Sequence, residues 1–570
     1  MKKYPLAFLL MTLCCFDCRY AQPQSQESPF EYREVYLPEQ PYGLSKENRL
    51  NSVDLDWGIW GHNLSVVLPR NASQTVYAKS GNSVNNEQFC FSSDMLFSYI
   101  CDFIDDNYGR DKTMRFAILP NDNQTVCMCA QCTEHGNSTG NASGALYYLL
   151  ERLTAKYPKH LFFTSYYRTA QNLPDRELPD NAGVLISAIS YPLSPAHTPQ
   201  EDQFRSLLDE WAGYTKHIYV WDYINNFDDY FTPYPVLDVV QHRLRMYADA
   251  GVKGVFFNGS GPDYSSMARL KAQIIAELFR NPDADWRPLL RKLCNDLYPV
   301  TGDMICDFMI HQEDMVRALG RPLPMYEGIC KEAGYYFEPD EFVEFHDRLI
   351  SRIPAIKDPE RTEVHTLSRA MMLTRLELMR VQSDTVGSRR MLAGLERLSE
   401  QGIKSYSEAG GTIDSYVSEY RYMLRHIDET GRRNKLRGVR LSALTALDED
   451  YSDISILTDG MLGLPSSYHC GQLISSADPA LRIAVPNKGL KRLRVYMTRN
   501  AIYHIALPLS ISLSVDGREV ARKVPKPLSA DNQRSMVEFD IPSGSNGSLV
   551  LTVVRNKEDR TMALDEIEGF

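Results

Sequence analysis

The stretch HIYVWDYINNFDDY at residues 217–230 combines a strand-like segment with a dense group of acidic and aromatic side chains. Residues 217–221 are mostly apolar and rich in β-forming side chains, which predicts a buried strand. Residues 221–230 then contain three carboxylates, two amides and four aromatic rings. Charge and rings at the C-terminal end of a buried strand are typical of a barrel enzyme that holds a polar ligand. The alternative interpretation is an acidic, Tyr-rich surface loop.

Eight strand-like segments occur along the first half of the chain, and helical patterns separate several of them. They span residues 30–36, 55–60, 88–91, 114–119, 161–167, 184–189, 217–221 and 252–259. Eight strands over about 250 residues is the count for a (β/α)8 barrel. No helical pattern follows the second or the fifth segment, so we predict a degenerate, TIM-like barrel.

The rest of the chain changes character twice. Residues 283–432 carry mainly helical patterns and predict a packing domain of α-helices. From residue 437 onward, short alternating strands and turns predict a β-sandwich, with Asp516-Gly517 as a hairpin turn. The predicted organisation is a signal peptide (1–21), a linker (22–28), the barrel (29–282), the helical domain (283–432) and the sandwich (437–570), a candidate carbohydrate-binding module.

The composition argues against some classes of partner. The 570 residues carry a net charge of −11 without a sustained Lys/Arg run, which argues against binding to nucleic acid or an anionic membrane. Beyond the N-terminus, no stretch approaches the roughly 20 apolar residues of a membrane-spanning helix. The 33 tyrosines suit stacking on neutral polar rings, so we expect an oligo- or polysaccharide ligand.

The N-terminus predicts export to the periplasm or the cell surface. Lys2 and Lys3 precede an apolar run at residues 6–13, as in a signal peptide, and cleavage after Ala21 fits the pattern. Nine cysteines then remain, in a compartment where disulfides persist. A lipid anchor is the alternative, and its candidate attachment sites are Cys14, Cys15 and Cys18.

Carboxylates and aromatic rings gather at the predicted C-terminal ends of the strands. Asp122 is the candidate acid, because burial at the end of the fourth strand would favour its protonated form. Asp222 is the candidate partner, with Asp228 or Asp229 as substitutes. Two carboxylates that face each other across a barrel mouth suit glycosidic bond cleavage, which requires no cofactor. The expected sugar platform consists of Trp57, Trp60, His62, Asn123, Tyr166, Trp221, Tyr223 and Asn258.

Each of these residues also has a structural interpretation. Asp122 lies in an Asn-Asp-Asn sequence that favours an Asx-turn, and Asp222 fits an acceptor for backbone amides. His62 has the alternative role of a hydrogen-bonding residue without a functional ligand, and the aromatic rings have that of ordinary core or rim packing.

A cysteine cluster is the sharpest local pattern in the chain. Cys127, Cys129 and Cys132 follow one another closely, in the loop after the predicted strand at residues 114–119. Cys90 lies on the neighbouring predicted strand at residues 88–91. Four soft ligands suit structural zinc. Disulfides among them and free thiols are the alternatives.

These same residues resemble a known family. The segments FEYR at 30–33, WGIWGHN at 57–63, NDN at 121–123 with the three clustered cysteines, and GVKG at 251–254 resemble the bacterial domain of unknown function 4838. That family is regarded as a glycoside-hydrolase-like barrel, distantly similar to hexosaminidase and α-glucuronidase barrels, and occurs near polysaccharide-utilisation genes. The resemblance implies that Asp122 is the catalytic acid. It does not identify a second carboxylate, since Asn258 stands where a carboxylate would fit.

The C-terminal part is similar to discoidin-like, galactose-binding sandwiches, which implies glycan binding. We therefore predict an exported glycoside hydrolase that acts through carboxylates at the barrel mouth. The rivals are a non-catalytic glycan-binding protein on the same scaffold and a purely structural surface protein without an aromatic pocket.

Overall fold

The structure is a computed structural model that describes residues 28–38, 43–81, 83–469, 471–476, 478–526, 532–544, 547–556 and 561–570. The predicted signal peptide, and all of the predicted linker except residue 28, lie outside the described residues. In the described part of the chain, no helix combines the length and the apolar character that a bilayer-spanning segment needs.

The strands of the N-terminal half are β1 (Tyr32–Tyr36), β2 (Trp57–Ile59), β3 (Tyr77–Ser80), β4 (Ser83–Phe89), β5 (Arg115–Ala117), β6 (Leu161–Tyr166), β7 (Ala182–Ser187), β8 (Ile218–Tyr223) and β9 (Gly254–Asn258). The helices among and after them are α1 (Leu44–Asn48), α2 (Val53–Asp56), α3 (Asp94–Asn107), α4 (Ala130–Glu134), α5 (Ser143–Lys156), α6 (Pro199–Ala212), α7 (Leu237–Asp249) and α8 (Ala268–Arg280).

Seven of these strands form one parallel sheet in the order β1-β9-β8-β7-β6-β5-β2. The prediction of parallel strands and helices is therefore confirmed, but the described residues form a curled sheet of seven strands and not a closed barrel of eight. The third predicted strand instead belongs to β4, which pairs antiparallel with β3 outside the sheet. Most of β4 is polar and exposed, and such a strand cannot occupy a parallel sheet that is covered on both faces.

The edge strands β1 and β2 approach each other through side chains and a flanking loop. The backbone N–H of Arg33 donates to Asn51 Oδ1 at 2.9 Å, and Asn51 N–H donates to the Arg33 carbonyl at 2.8 Å. The rings of Tyr32 on β1 and Trp57 on β2 meet edge to face at 5.7 Å. The sheet is thus curled, with its two edges brought together.

Large side chains fill the inside of the curled sheet. Alternate residues along each strand point inward, as the two-residue period of a strand requires. This inner cluster consists of Tyr32, Val53, Trp57, Ala117, Leu119, Phe163, Leu185, Tyr219 and Phe256. The interior is therefore a packed core.

The middle of the chain is helical, as predicted. Its helices are α9 (Trp286–Leu297), α10 (Gly302–Leu319), α11 (Ile329–Glu332), α12 (Pro339–Arg352), α13 (Glu360–Val381), α14 (Thr385–Glu400) and α15 (Ile413–Thr430). The largest hydrophobic cluster continues from the outer face of the sheet into these helices. The helical segment is thus packed against the curled sheet through a shared core.

The C-terminal part consists of two antiparallel sheets, as predicted. Its strands are β10 (Ser442–Ala443), β11 (Leu473–Ser475), β12 (Ala480–Val485), β13 (Arg492–Asn500), β14 (Ser510–Val515), β15 (Arg518–Lys523), β16 (Asn532–Asp540), β17 (Leu549–Val554) and β18 (Met562–Gly569). The sheet orders are β10-β12-β17-β14-β15 and β11-β18-β13-β16, and one apolar core joins the two. Asp516 and Gly517, with φ of 48° and 79°, form the predicted turn between β14 and β15.

Candidate functional site

A cavity of about 230 Å³ lies at the C-terminal ends of the parallel strands. Its lining consists of His62, Leu119, Asp122, Ser165, Tyr167, Leu185, Ser187, Ile189, Trp221, Tyr223, Asn258, Tyr326 and Glu408. A larger cavity of about 580 Å³ lies between α8 and α13, but none of the predicted site residues lines it. The smaller cavity is therefore the candidate site.

Five of the predicted site residues meet in this cavity. They are His62, Asp122, Trp221, Tyr223 and Asn258. They lie near the ends of four strands, β2, β5, β8 and β9, and the parallel arrangement brings those ends to one side. The structure thus places these five residues together at the strand ends.

Asp222 lies on the opposite face of its strand. It is fully buried, and its Oδ2 accepts a hydrogen bond of 2.5 Å from the hydroxyl of Tyr247 on α7. Trp221 and Tyr223 line the cavity, so the residue between them must point outward to the helices. The structure therefore does not pair Asp222 with Asp122 across the cavity, and the expectation that it would is corrected.

Asp228 and Asp229 are also placed away from the cavity. Asp228 is buried and lies 2.5 Å from His469 Nε2 and 2.5 Å from the Tyr503 hydroxyl, both in the C-terminal part. Asp229 accepts hydrogen bonds from the backbone N–H groups of Phe231 and Thr232, at 2.8 and 3.1 Å. These two carboxylates hold the loop in place, and neither faces the candidate site.

Two of the predicted platform residues, Trp57 and Trp60, lie beside the cavity on the side of the inner cluster. Trp57 is buried in the inner cluster. Trp60 stacks on Trp221 with ring centroids 5.0 Å apart and an interplanar angle of 20°. Trp57 packs against Trp60 at 4.7 Å, and Trp60 in turn supports Trp221. Neither Trp57 nor Trp60 lines the cavity.

Two other predicted residues serve local structure. Asn123 Oδ1 accepts from Gln88 Nε2 at 3.2 Å and from Thr125 N–H at 2.9 Å. An Asx-type turn is therefore present at Asn123, one residue after the position for which it was expected. Tyr166 packs edge to face against Trp211 of α6, at 6.0 Å. It points away from the neighbouring Tyr167, which does line the cavity.

Asp122 is paired with a cation. Its side chain is 46% exposed, and its Oδ1 is in contact with Nε of Arg168. The burial expected to favour its protonated form is therefore absent. Arg168 has φ of 47°, a left-handed backbone that costs an L-residue about 1–3 kcal/mol, and such residues cluster at functional sites. The Arg168 Nε also donates to the Tyr167 hydroxyl at 2.7 Å, so cation, ring and carboxylate form one group.

Glu408 and Tyr326 come from the helical segment and complete the cavity. Sequence reasoning missed both. The N–H of Glu408 donates to the carbonyl of Phe227 at 2.8 Å, and the N–H of Phe227 donates to the carbonyl of Met325 at 2.7 Å. The N–H of Tyr230 adds a bond of 2.8 Å to the Tyr406 carbonyl. The loop after β8 thus anchors both helical-segment loops beside the sheet.

Only a weak signal in the sequence marked this position. Gly410-Gly411 interrupts the helical pattern and predicts a loop there. Nothing local indicates that this loop reaches a cavity more than 100 residues away along the chain.

Burial raises the pKa of Glu408, and the negative charges of Asp228 and Asp122 raise it further. A hydrogen bond from the Tyr326 hydroxyl, 3.3 Å from Oε2, acts in the opposite direction and lowers the pKa. The outcome is a carboxyl group whose protonated form persists to higher pH than in a free glutamate. A second carboxylate, Asp122, lines the same cavity in a more exposed and cationic setting.

Two further polar groups face this space. Ser165 is buried, and its Oγ has no hydrogen-bond partner among the described residues. His62 Nδ1 lies 2.6 Å from the carbonyl oxygen of Pro120, which can only accept, so Nδ1 carries the proton and Nε2 is the ring nitrogen left for a ligand. A hydroxyl-rich ligand would satisfy such groups.

Some solved structures are similar to this chain, all at low identity. A family GH115 4-O-methyl-α-glucuronidase, BtGH115A, with specificity for decorated arabinogalactans, has 12% identity and a TM-score of 0.36, covering 88% of this chain and 70% of its own. A GH138 enzyme targeting pectin rhamnogalacturonan II has 7% identity and a TM-score of 0.32, covering 95% and 84%. A Streptococcus pneumoniae fucose-binding module has 18% identity and a TM-score of 0.17, covering 24% and 94%.

No curated protein matches the chain. A family match covers residues 22–309, half of the chain, and includes the sheet and every cavity residue except Tyr326 and Glu408. The family is described as a domain of unknown function, DUF4838, and the chain belongs to it.

Proposed function

We propose that the protein is an exported glycoside hydrolase in which Glu408 donates a proton to the glycosidic oxygen and Asp122 is the partner carboxylate. The observation that carries the proposal is that two carboxylates in different electrostatic settings line one aromatic cavity. Pairs of carboxyl groups whose environments separate their roles are the basis of glycosidic bond cleavage. Export rests on the charged and apolar residues at the N-terminus.

The acid role moves from Asp122 to Glu408 because of burial. A general acid must hold its proton at the working pH and release it to the leaving oxygen. The raised pKa of Glu408 supports that role. Asp122 is 46% exposed, which supports the role of a carboxylate that attacks the sugar or activates a water molecule.

Arg168 is the positioning residue for Asp122. Its guanidinium contacts Oδ1 of that carboxylate and donates to Tyr167. A charge-assisted pair of this kind fixes the direction of the carboxylate. In the proposed mechanism, Oδ2 faces the sugar while Oδ1 stays bound to Arg168.

The size and lining of the cavity suggest the part of the glycan that binds. A volume of about 230 Å³ lies below the range of about 300–1,000 Å³ for sites that hold drug-sized ligands. We therefore propose that the cavity accepts one terminal sugar ring, stacked against Trp221 or Tyr326. The protein would then remove single sugars from chain ends.

A substrate screen with matched variants tests the proposal. Purified protein is assayed on aryl glycosides and on polysaccharides, next to Glu408→Gln, Asp122→Asn and, as control, Glu210→Gln, which changes an exposed residue on α6. We expect both site variants to lose roughly 10²–10⁴-fold in kcat and the control to retain full activity. Unchanged activity in either site variant would refute the assigned pair.

The rival function is glycan binding without catalysis. The ion pair between Arg168 and Asp122 favours it, because this pair engages the carboxylate that would have to react. Calorimetry with the same sugars separates the two functions. Saturable binding by the parent protein, with no turnover of any substrate, would establish the rival.

A further inference from the structure

Four cysteine sulfur atoms converge outside the candidate site. The Sγ atoms of Cys90, Cys127, Cys129 and Cys132 all lie within 4.8 Å of one another. Three of the residues are buried, and Cys129 is half-buried. All four are separate thiols in this structure, and none of them lines the cavity.

The spacing of the sulfur atoms matches a tetrahedral metal site. Cys90 Sγ lies 3.6 Å from Cys129 Sγ and 3.7 Å from Cys132 Sγ. A tetrahedral zinc ion with Zn–S bonds of about 2.3 Å separates its sulfurs by about 3.8 Å. Disulfides would require two separate pairs at about 2.05 Å and would not need all four sulfurs to be mutual neighbours.

Backbone and side-chain donors already point at these sulfurs. The N–H of Lys79 donates to Cys127 Sγ at 3.3 Å, and the N–H of Cys132 donates to Cys129 Sγ at 3.4 Å. The Ser92 hydroxyl lies 3.1 Å from Cys132 Sγ. Hydrogen bonds of this kind orient metal ligands and stabilise the thiolate form.

We propose that these four cysteines bind one Zn²⁺ as a closed structural site. Zinc replaces the four thiol protons, which leave to solvent, and no electron transfer takes place. Four protein ligands leave no open coordination position, so the ion would have no catalytic role of its own. The four-thiolate complex carries a net negative charge, and Lys79 lies in the same surface recess as Cys90 and Cys129.

The ion would cross-link two segments that hold the loop of Asp122. Cys90 directly follows β4, and the other three ligands lie just after the Asn121–Asn123 turn. That turn is already tied to β4, since Gln88 Nε2 donates to the Asn121 carbonyl at 3.1 Å. Zinc would therefore act as a clamp on the mouth of the barrel.

Metal analysis of the full-length protein tests the site. The chain is purified without chelator, its zinc content is measured, and the zinc is exchanged for Co²⁺ to record the absorption of tetrahedral cobalt thiolate. We expect one zinc per chain and the cobalt–thiolate spectrum. Cys132→Ser should lose the metal and melt at a lower temperature, whereas Cys101→Ser, which changes a buried free cysteine on α3 outside the cluster, should keep it.

A second measurement needs no variant. The unreduced parent protein is denatured, alkylated and mapped by mass spectrometry. Alkylation of all four cysteines, together with one zinc per native chain, supports the site. Protection of the four cysteines as two disulfides would overturn the zinc site. A native chain without zinc would overturn it as well. So would zinc that stays bound to a folded Cys132→Ser variant.

Discussion

The hydroxyl of Tyr326 donates a hydrogen bond of 3.3 Å to Oε2 of Glu408. Neither residue belongs to the curled sheet, since Tyr326 precedes α11 and Glu408 lies between α14 and α15. Both nevertheless line the cavity at the strand ends. The helical segment, predicted only to pack beside the barrel, thus supplies part of the site.

This hydrogen bond leads to a prediction about pH. A general acid works in its protonated form, so kcat/KM should fall as the pH rises through the pKa of Glu408. Since burial raises that pKa, the fall should occur above the value of about 4.3 for a free glutamate. Removing the hydrogen bond in Tyr326→Phe should move the fall to still higher pH, because the bond lowers the pKa.

The shift should be at most about two pH units, because one unit corresponds to about 1.4 kcal/mol and a hydrogen bond to a charged group contributes about 1.5–3 kcal/mol. The measurement is kcat/KM against pH for both proteins on one substrate. A shift of the falling limb to lower pH in Tyr326→Phe would contradict the assignment.

Trp221 should contribute to binding of the sugar ring. Replacing it by leucine keeps apolar bulk but removes the flat face, so KM should rise roughly tenfold, which corresponds to about 1.4 kcal/mol. Tyr166→Leu is the matched control, because that ring packs against Trp211 outside the cavity. Steady-state kinetics compares the two, and equal effects would mean that only packing was lost.

Asp228 should stabilise the contact between the barrel and the C-terminal part. Its two carboxylate oxygens each lie 2.5 Å from a partner, His469 Nε2 and the Tyr503 hydroxyl. Asp228→Ala leaves both partners without their acceptor, so the free energy of unfolding should fall by about 3 kcal/mol. Asp228→Asn retains one acceptor oxygen and should cost less. Urea unfolding measures the free energy of both variants. An unchanged midpoint for the alanine variant would show that Asp228 does not stabilise this contact.

Glu313 should make stability depend on pH. It is buried, and its carboxylate oxygens accept from the N–H groups of Leu237 and Asp238 at 2.7 and 3.1 Å. Burial raises its pKa from 4.5 to about 8. A raised folded-state pKa means that the protonated group stabilises the fold below about pH 4.5, and that this stabilisation is lost as the pH rises to about 8.

The loss across this window is on the order of 5 kcal/mol, at about 1.4 kcal/mol per unit. Glu313→Gln should remove this pH dependence, at a fixed cost for the one acceptor oxygen that glutamine lacks. The stability of the variant relative to the parent should therefore be higher at pH 8 than at pH 4.5. Burial raises the pKa of Glu34 to about 8 as well, so the difference between variant and parent is the quantity to measure. Urea unfolding at both pH values gives it, and parallel pH profiles would contradict the prediction.

Much of the architecture follows from local patterns. The alternation in 511–515 and the Asp516-Gly517 pair predicted β14 and its turn, since both signals lie within a few residues. The two-residue period of a strand also implies that Asp222 faces away from Trp221 and Tyr223. The third barrel strand was mispredicted because Gln88–Phe91 looks apolar by itself, whereas the polar residues before it belong to the same strand, β4.

The sequence by itself determined the seven parallel strands, the helical middle, the C-terminal antiparallel sheets and five residues that line the cavity, because periodicity and strand ends are properties of neighbouring residues. Only the tertiary structure decided which carboxylate joins Asp122. Glu408 reaches the cavity through a backbone hydrogen bond to Phe227, 181 positions earlier in the chain, and such long-range pairing leaves no trace in the local pattern. Asp222 and Asp228, which follow Trp221 in the chain, do not line the cavity. Their carboxylates instead bind Tyr247 and His469.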